Sequence, residues 1–185
     1  MSRDMTDIER GLWNRQAILD TITLSCCALD RLDWPLMARV FAPDARIDTG
    51  DWSGDFDAFR THWAEAVNHT LADAHHLTTH NCVPSPDDPT RASAESYVMR
   101  MSREPDEQTI RMQAMRFLDE LTLADGRWHI AARRVVHDWG FTADGSESLM
   151  DDGYDRGRRD TTDLSYMRPL ALSEAQLAEL SKREA

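Results

Sequence analysis

The chain has 185 residues, 41% of them hydrophobic and 29% charged, enough for one globular domain with a real core and a modest extension. Its formal net charge of -12 repels nucleic acid and anionic membrane surfaces, so a basic binding groove is excluded. No apolar run approaches the ~20 residues of a membrane span, and the N-terminus is polar and acidic. Cys26, Cys27 and Cys82 form neither zinc spacing nor a disulfide framework. They read as buried core fillers, and the expected setting is the cytoplasm.

In chain order, Asp7 to Leu32 reads as a long helix with a break expected near Gly11, its core face carrying Ile18, Ile22, Cys26 and Leu29. Asp33 caps a short helix with Pro35 in its first turn and Leu36, Met37, Val40 and Phe41 on its apolar side, closed by Pro43-Asp44. Ala45 to Thr49 is a short strand, followed by a loop with Gly50 and Gly54. Asp55 starts a helix to about His69, with Phe56, Phe59, Trp63 and Val67 on one face. The period then changes to alternation: strands over Leu77 to Val83, Ala92 to Arg103, Ile110 to Leu123 and Arg127 to Phe141, the last two joined by an Asp125-Gly126 hairpin turn. Helices leading a strand meander predict an α+β fold with the helices packed over a curved antiparallel sheet. The domain is expected over residues 1–141. The charged stretch 142–185 is an extension (a lid, an arm to a second subunit, or disordered) ending in a helix from Ser173 to Arg183.

Four patterns in this order carry a resemblance: Ala28-Leu29-Asp30-Arg31-Leu32-Asp33-Trp34, Val40-Phe41-Ala42-Pro43-Asp44-Ala45, Arg116-Phe117-Leu118-Asp119-Glu120-Leu121 and Asp125-Gly126-Arg127-Trp128-His129-Ile130. Together they resemble the SnoaL-like, nuclear transport factor 2-like superfamily. Its members include scytalone dehydratase, bile-acid dehydratase, a hexachlorocyclohexane dehydrochlorinase and the β subunits of ring-hydroxylating dioxygenases. The resemblance implies a cone whose wide end holds a small molecule, and pairing of copies as a homodimer or homotrimer. It does not supply a reaction, since this fold hosts enzymes, binders and subunits alike.

The resemblance implies that Asp30 orients a histidine at the start of the first long strand, for which His76 is the best match. His75 is its immediate neighbour, and a one-residue shift would exchange them. The carboxylate accepts from one imidazole nitrogen and leaves the other to take a proton. Arg133 matches an arginine that assists an anionic leaving group in the dehydrochlorinase. Alternation places Arg133, Val135, His137 and Trp139 on one face, with His137 as a second acid or base. His62, His69 and His129 read as exposed polar positions. Trp34, Trp63, His80, Phe117 and Trp139 are expected to line an aromatic pocket suited to a flat or polycyclic ligand.

His76 and His80 stand about 13 Å apart on an extended strand, so a shared metal is not expected. The single lysine, Lys182, lies in the tail and excludes Schiff-base chemistry in the domain. The leading expectation is a cofactor-independent lyase acting on a hydroxylated aromatic or alicyclic compound. Dehydration comes first, and formaldehyde-releasing cleavage of an arylpropane diol is a related route. A non-catalytic dioxygenase β-subunit-like or ligand-binding protein is the alternative, and a polyketide cyclase or isomerase the third.

Overall fold

The computed structural model describes residues 6–146, 154–167 and 169. Helix α1 (Asp7–Arg31) starts at Thr6, whose side chain and backbone form a capping box with Glu9, and runs unbroken through Gly11. The chain turns through Leu32 at φ 51, and the Asp33 carboxylate caps α2 (Trp34–Val40) by accepting from the Leu36 N–H at 2.9 Å.

Strand β1 (Phe41–Asp48) begins directly at the end of α2, so Pro43 lies inside a strand and not at a helix stop. It is tolerated there because the ladder to the last strand is irregular between Phe41 and Arg46. A three-residue strand β2 (Ser53–Asp55) stands where a loop was expected, and Asp55 caps α3 (Phe56–Val67).

Four long strands follow: β3 (Ala72–Pro84), β4 (Arg91–Arg103), β5 (Thr109–Ala124) and β6 (Arg127–Asp144). The tight β5–β6 hairpin turns on Asp125 and Gly126, with φ of 51 and 72, which glycine supplies without strain. The sheet order is β2-β1-β6-β5-β4-β3. All neighbours are antiparallel except β1 and β6, so the sheet is mixed where a wholly antiparallel one was expected.

The helices cover one face of this curved sheet. Ile18 and Ile22 of α1 and Met37 of α2 meet Phe41, Ile47, Leu121 and Ile130 in the main core, all essentially without solvent exposure. Cys82 is buried within it, Cys26 is buried in a second cluster with Val98, Met115 and Phe117, and burial pushes the Cys26 thiol up to about 12. Among the described residues, no helix is long and apolar enough to cross a membrane.

Part of the C-terminal extension lies against the domain. Arg159 Nη1 donates to the carbonyls of Val67 and Thr70 and to Thr70 Oγ1, Asp163 stands 3.5 Å from Arg31, and the Tyr166 hydroxyl donates to Asp33. The helix expected from Ser173 to Arg183 lies outside the described residues, as does Lys182.

Candidate active site

Asp30 sits in the last turn of α1, where the helix dipole disfavours an anion by about 0.3–1 kcal/mol. Contacts with His75 offset this. The His75 backbone N–H reaches Oδ1 at 3.0 Å and Oδ2 at 3.2 Å, and its ring Nδ1 lies 2.6 Å from Oδ1. With Nδ1–H donating to the carboxylate, the ring is held in one tautomer and Nε2 keeps its lone pair. The His75 side chain is 2% exposed, and Nε2 has no protein hydrogen-bond partner among the described residues.

The residue on Asp30 is therefore His75, and the assignment of His76 is corrected. His76 is exposed on the outer face of the sheet. Thr78 is the cause. Leu77 opposes Val98 while Thr79 opposes Tyr97, so Thr78 is an extra, bulged residue in β3. Beyond it the inward residues are His80 and Cys82; before it they are His75 and Leu77. A count by twos from His80 without the bulge lands on the wrong histidine.

His75 opens into a cavity of about 170 Å³ between α3, the end of α1 and the sheet. Leu29, Phe59, Trp63, Met115, Phe117 and Val135 form its apolar wall, and Trp63 and Phe117 lie 5.8 and 6.4 Å from the His75 ring. The polar lining is Thr49, Asp51, His62, His75, Arg100, Gln113, Arg133 and His137.

Arg133 lines the same cavity and is already paired. Its Nε and Nη2 donate to the two oxygens of Asp119 at 2.7 and 2.9 Å, and Nη1 donates to Ser25 Oγ at 3.0 Å. The pair is buried at 3% and 0% side-chain exposure, and the guanidinium lies over the Phe117 ring at 4.1 Å. Three of its five N–H groups are thus engaged. His137 lines the cavity and its Nε2 donates to the Thr49 carbonyl at 3.1 Å.

Three expected wall residues lie elsewhere. Trp34 packs at the core edge under the Arg60 guanidinium. His80 bonds Ser96 Oγ through Nδ1 at 2.9 Å and lies off the cavity, and burial lowers its pKa. Trp139 is 54% exposed on the outer face, stacked on Phe141. A second bulge explains it: Met115 opposes His137 while Ala114 opposes Trp139, so Asp138 is surplus and the phase flips after His137.

Sequence reasoning missed His62 and Arg100. Both were within reach of the pattern. His62 follows Phe59 by three and precedes Ala66 by four on the cavity side of α3, and Arg100 continues the inward series Ala92, Ala94, Ser96, Val98 of β4.

Among the described residues, Asp30, Asp73 and His75 are the one group whose ligand atoms, all within 4.8 Å of one another, could share a metal ion. Asp73 is already neutralised. Arg100 donates to it through Nε at 2.9 Å and through Nη2, so a divalent ion would have to sit beside a guanidinium.

The SnoaL-like domain family matches residues 10–134, which run from the first turn of α1 into the first half of β6. The chain belongs to the SnoaL-like family. Comparison with curated protein sequences finds no match. Among solved structures, this SnoaL-like chain is similar to a hexachlorocyclohexane dehydrochlorinase, LinA-type3, from Novosphingobium barchaimii (14% identity, 79% of this chain and 100% of that one, TM-score 0.67). It is similar to a protein from Novosphingobium aromaticivorans provisionally assigned as a scytalone dehydratase (17%, 80% and 99%, 0.64). The Kfla4162 protein of Kribbella flavida is comparable (14%, 71% and 95%, 0.64). At these identities the likeness is one of fold.

Proposed function

We propose that this SnoaL-like protein is a cofactor-independent lyase in which His75, oriented by Asp30, removes a proton from carbon and a neighbouring C–O bond breaks. The observation that carries this reading is the 2.6 Å contact between Asp30 and His75 Nδ1 at the wall of an apolar cavity, with Nε2 left unbonded. A carboxylate in the last turn of a helix is a choice that local electrostatics opposes, and such exceptions cluster where a side chain serves chemistry. Arg133 supplies positive charge at the cavity wall for an oxyanion developing on the substrate, through its two unengaged N–H groups.

Cavity size sharpens the substrate class. An apolar cavity of ~150 Å³ accommodates benzene, so about 170 Å³ suits a single six-membered ring with few substituents. That argues for dehydration of a monocyclic hydroxylated compound over cleavage of an arylpropane diol or reaction of a polycyclic one.

The test is a mass-resolved turnover screen of monocyclic hydroxylated compounds with wild type, His75→Gln and Asp30→Asn. Loss of water by wild type, abolished in His75→Gln, is the expected result. Turnover that proceeds equally in His75→Gln removes the histidine from the chemistry. A product of unchanged mass replaces the lyase with an isomerase or cyclase.

A further inference from the structure

Eliminating water requires one proton to be taken and another to be delivered, and the Asp30–His75 pair accounts for the first. A donor to the leaving oxygen must reach the cavity, carry a proton on a nitrogen that no protein group occupies, and be held in a fixed orientation. His62 meets these conditions. It lines the same cavity as His75 and is half-buried, and neither ring nitrogen has a hydrogen-bond partner among the described residues. His137, by contrast, commits Nε2 to the Thr49 carbonyl and is more exposed.

The orientation of His62 is built in. Its ring lies flat on Trp52, with centroids 4.7 Å apart and planes at 9°. Stacking uses the faces of the imidazole and leaves its in-plane N–H groups for a ligand, and an indole face attracts a cation placed over it. Trp52 is itself fixed. A Cβ on Gly54 would fall 2.7 Å from its ring, so glycine is what lets the indole lie there, and the Trp52 carbonyl accepts from the Thr49 N–H at 2.8 Å.

We propose that His62 is a second catalytic residue, the general acid that protonates the departing oxygen while His75 takes the carbon-bound proton. This rests on the lyase reading above. In the step, the C–H electron pair forms the new C=C bond as the proton passes to His75 Nε2. The C–O bond breaks, and the His62 N–H proton joins the oxygen to release water. Exchange with solvent then removes the proton from His75 and restores the one on His62.

Two probes that share a ring, an acidic C2–H and a product separate the roles: 3-hydroxycyclohexanone, whose hydroxyl needs a proton to leave, and 3-chlorocyclohexanone, whose chloride does not. Both give cyclohex-2-enone, read by its ultraviolet absorbance above the uncatalysed rate. In His62→Gln, kcat for the hydroxy probe should fall by about 10² or more while the chloro probe stays within about 3-fold. Trp52→Leu should show the same selectivity more weakly. His75→Gln should lose both. If His62→Gln and Trp52→Leu affect the two probes equally, or neither, the acid role of His62 is overturned and the lyase reading stands. If wild type converts neither probe, the lyase reading falls and takes this inference with it.

Discussion

The pairs Asp30–His75 and Arg133–Asp119 both bear on the same cavity, and they differ in what they leave unbonded. Asp119 is fully buried and spends both oxygens on one guanidinium, which gives a third donor to Ser25 and stacks on Phe117. Asp30 is one-fifth exposed and binds a histidine by its backbone and one ring nitrogen, with the other ring nitrogen unbonded. One pair is nearly saturated and holds the sheet to α1; the other keeps a reactive atom in reserve. Similar residue types, within one domain, thus form one closed brace and one pair open to a further bond, according to the bonds left over.

The largest expected effect breaks the brace. Asp119→Ala strands a buried guanidinium and should lower unfolding stability by about 3–5 kcal/mol, read from the urea midpoint. Asp119→Leu combined with Arg133→Met should recover most of that loss, and a double variant as unstable as the single one would mean the pair is more than a brace. Next, Asp30→Asn should cut kcat/KM by about 10² or more. Its urea midpoint should move by less than half as much as that of Asp119→Ala; a comparable shift would erase the contrast.

Cys26 lies close enough to feel Arg133, Asp30 and Asp119, and with burial as the main cause its thiol is raised to about 12. Iodoacetamide at pH 8 should therefore alkylate the half-buried Cys27 first and reach Cys26 only on unfolding, as mass spectrometry of timed digests would show. The smallest effect is the control: His76→Ala should leave kcat/KM within about 2-fold and stability within about 0.5 kcal/mol.

Much of this architecture was legible because it rests on local rules. Asp33 and Asp55 announce helix starts through a carboxylate on a free N–H, and Asp125-Gly126 announces a hairpin through its backbone preferences. Asp30 could be singled out because the residue patterns around it resemble those of a known family. What failed were counts carried through a strand. Alternation holds only while pairing is regular, and nothing in Thr78 or Asp138 signals that each is surplus to the ladder. The first puts His75 on the inner face in place of the His76 that the resemblance matched; the second sent Trp139 to the wrong side. The Arg133–Asp119 bond escaped for another reason: the acidic partner of Arg133 is set by the register of β5 on β6, which neither strand's own sequence states.

The bulge at Thr78 has a consequence for the shape of the chamber. Removing Thr78 would leave His75, Leu77, His80 and Cys82 all facing inward, since the residues on either side would then alternate without interruption. What would vanish is the bend that an extra residue forces on a strand. A chain one residue shorter would thus keep these side chains inward and straighten β3, so the shape of the chamber depends on spare backbone as well as on residue choice.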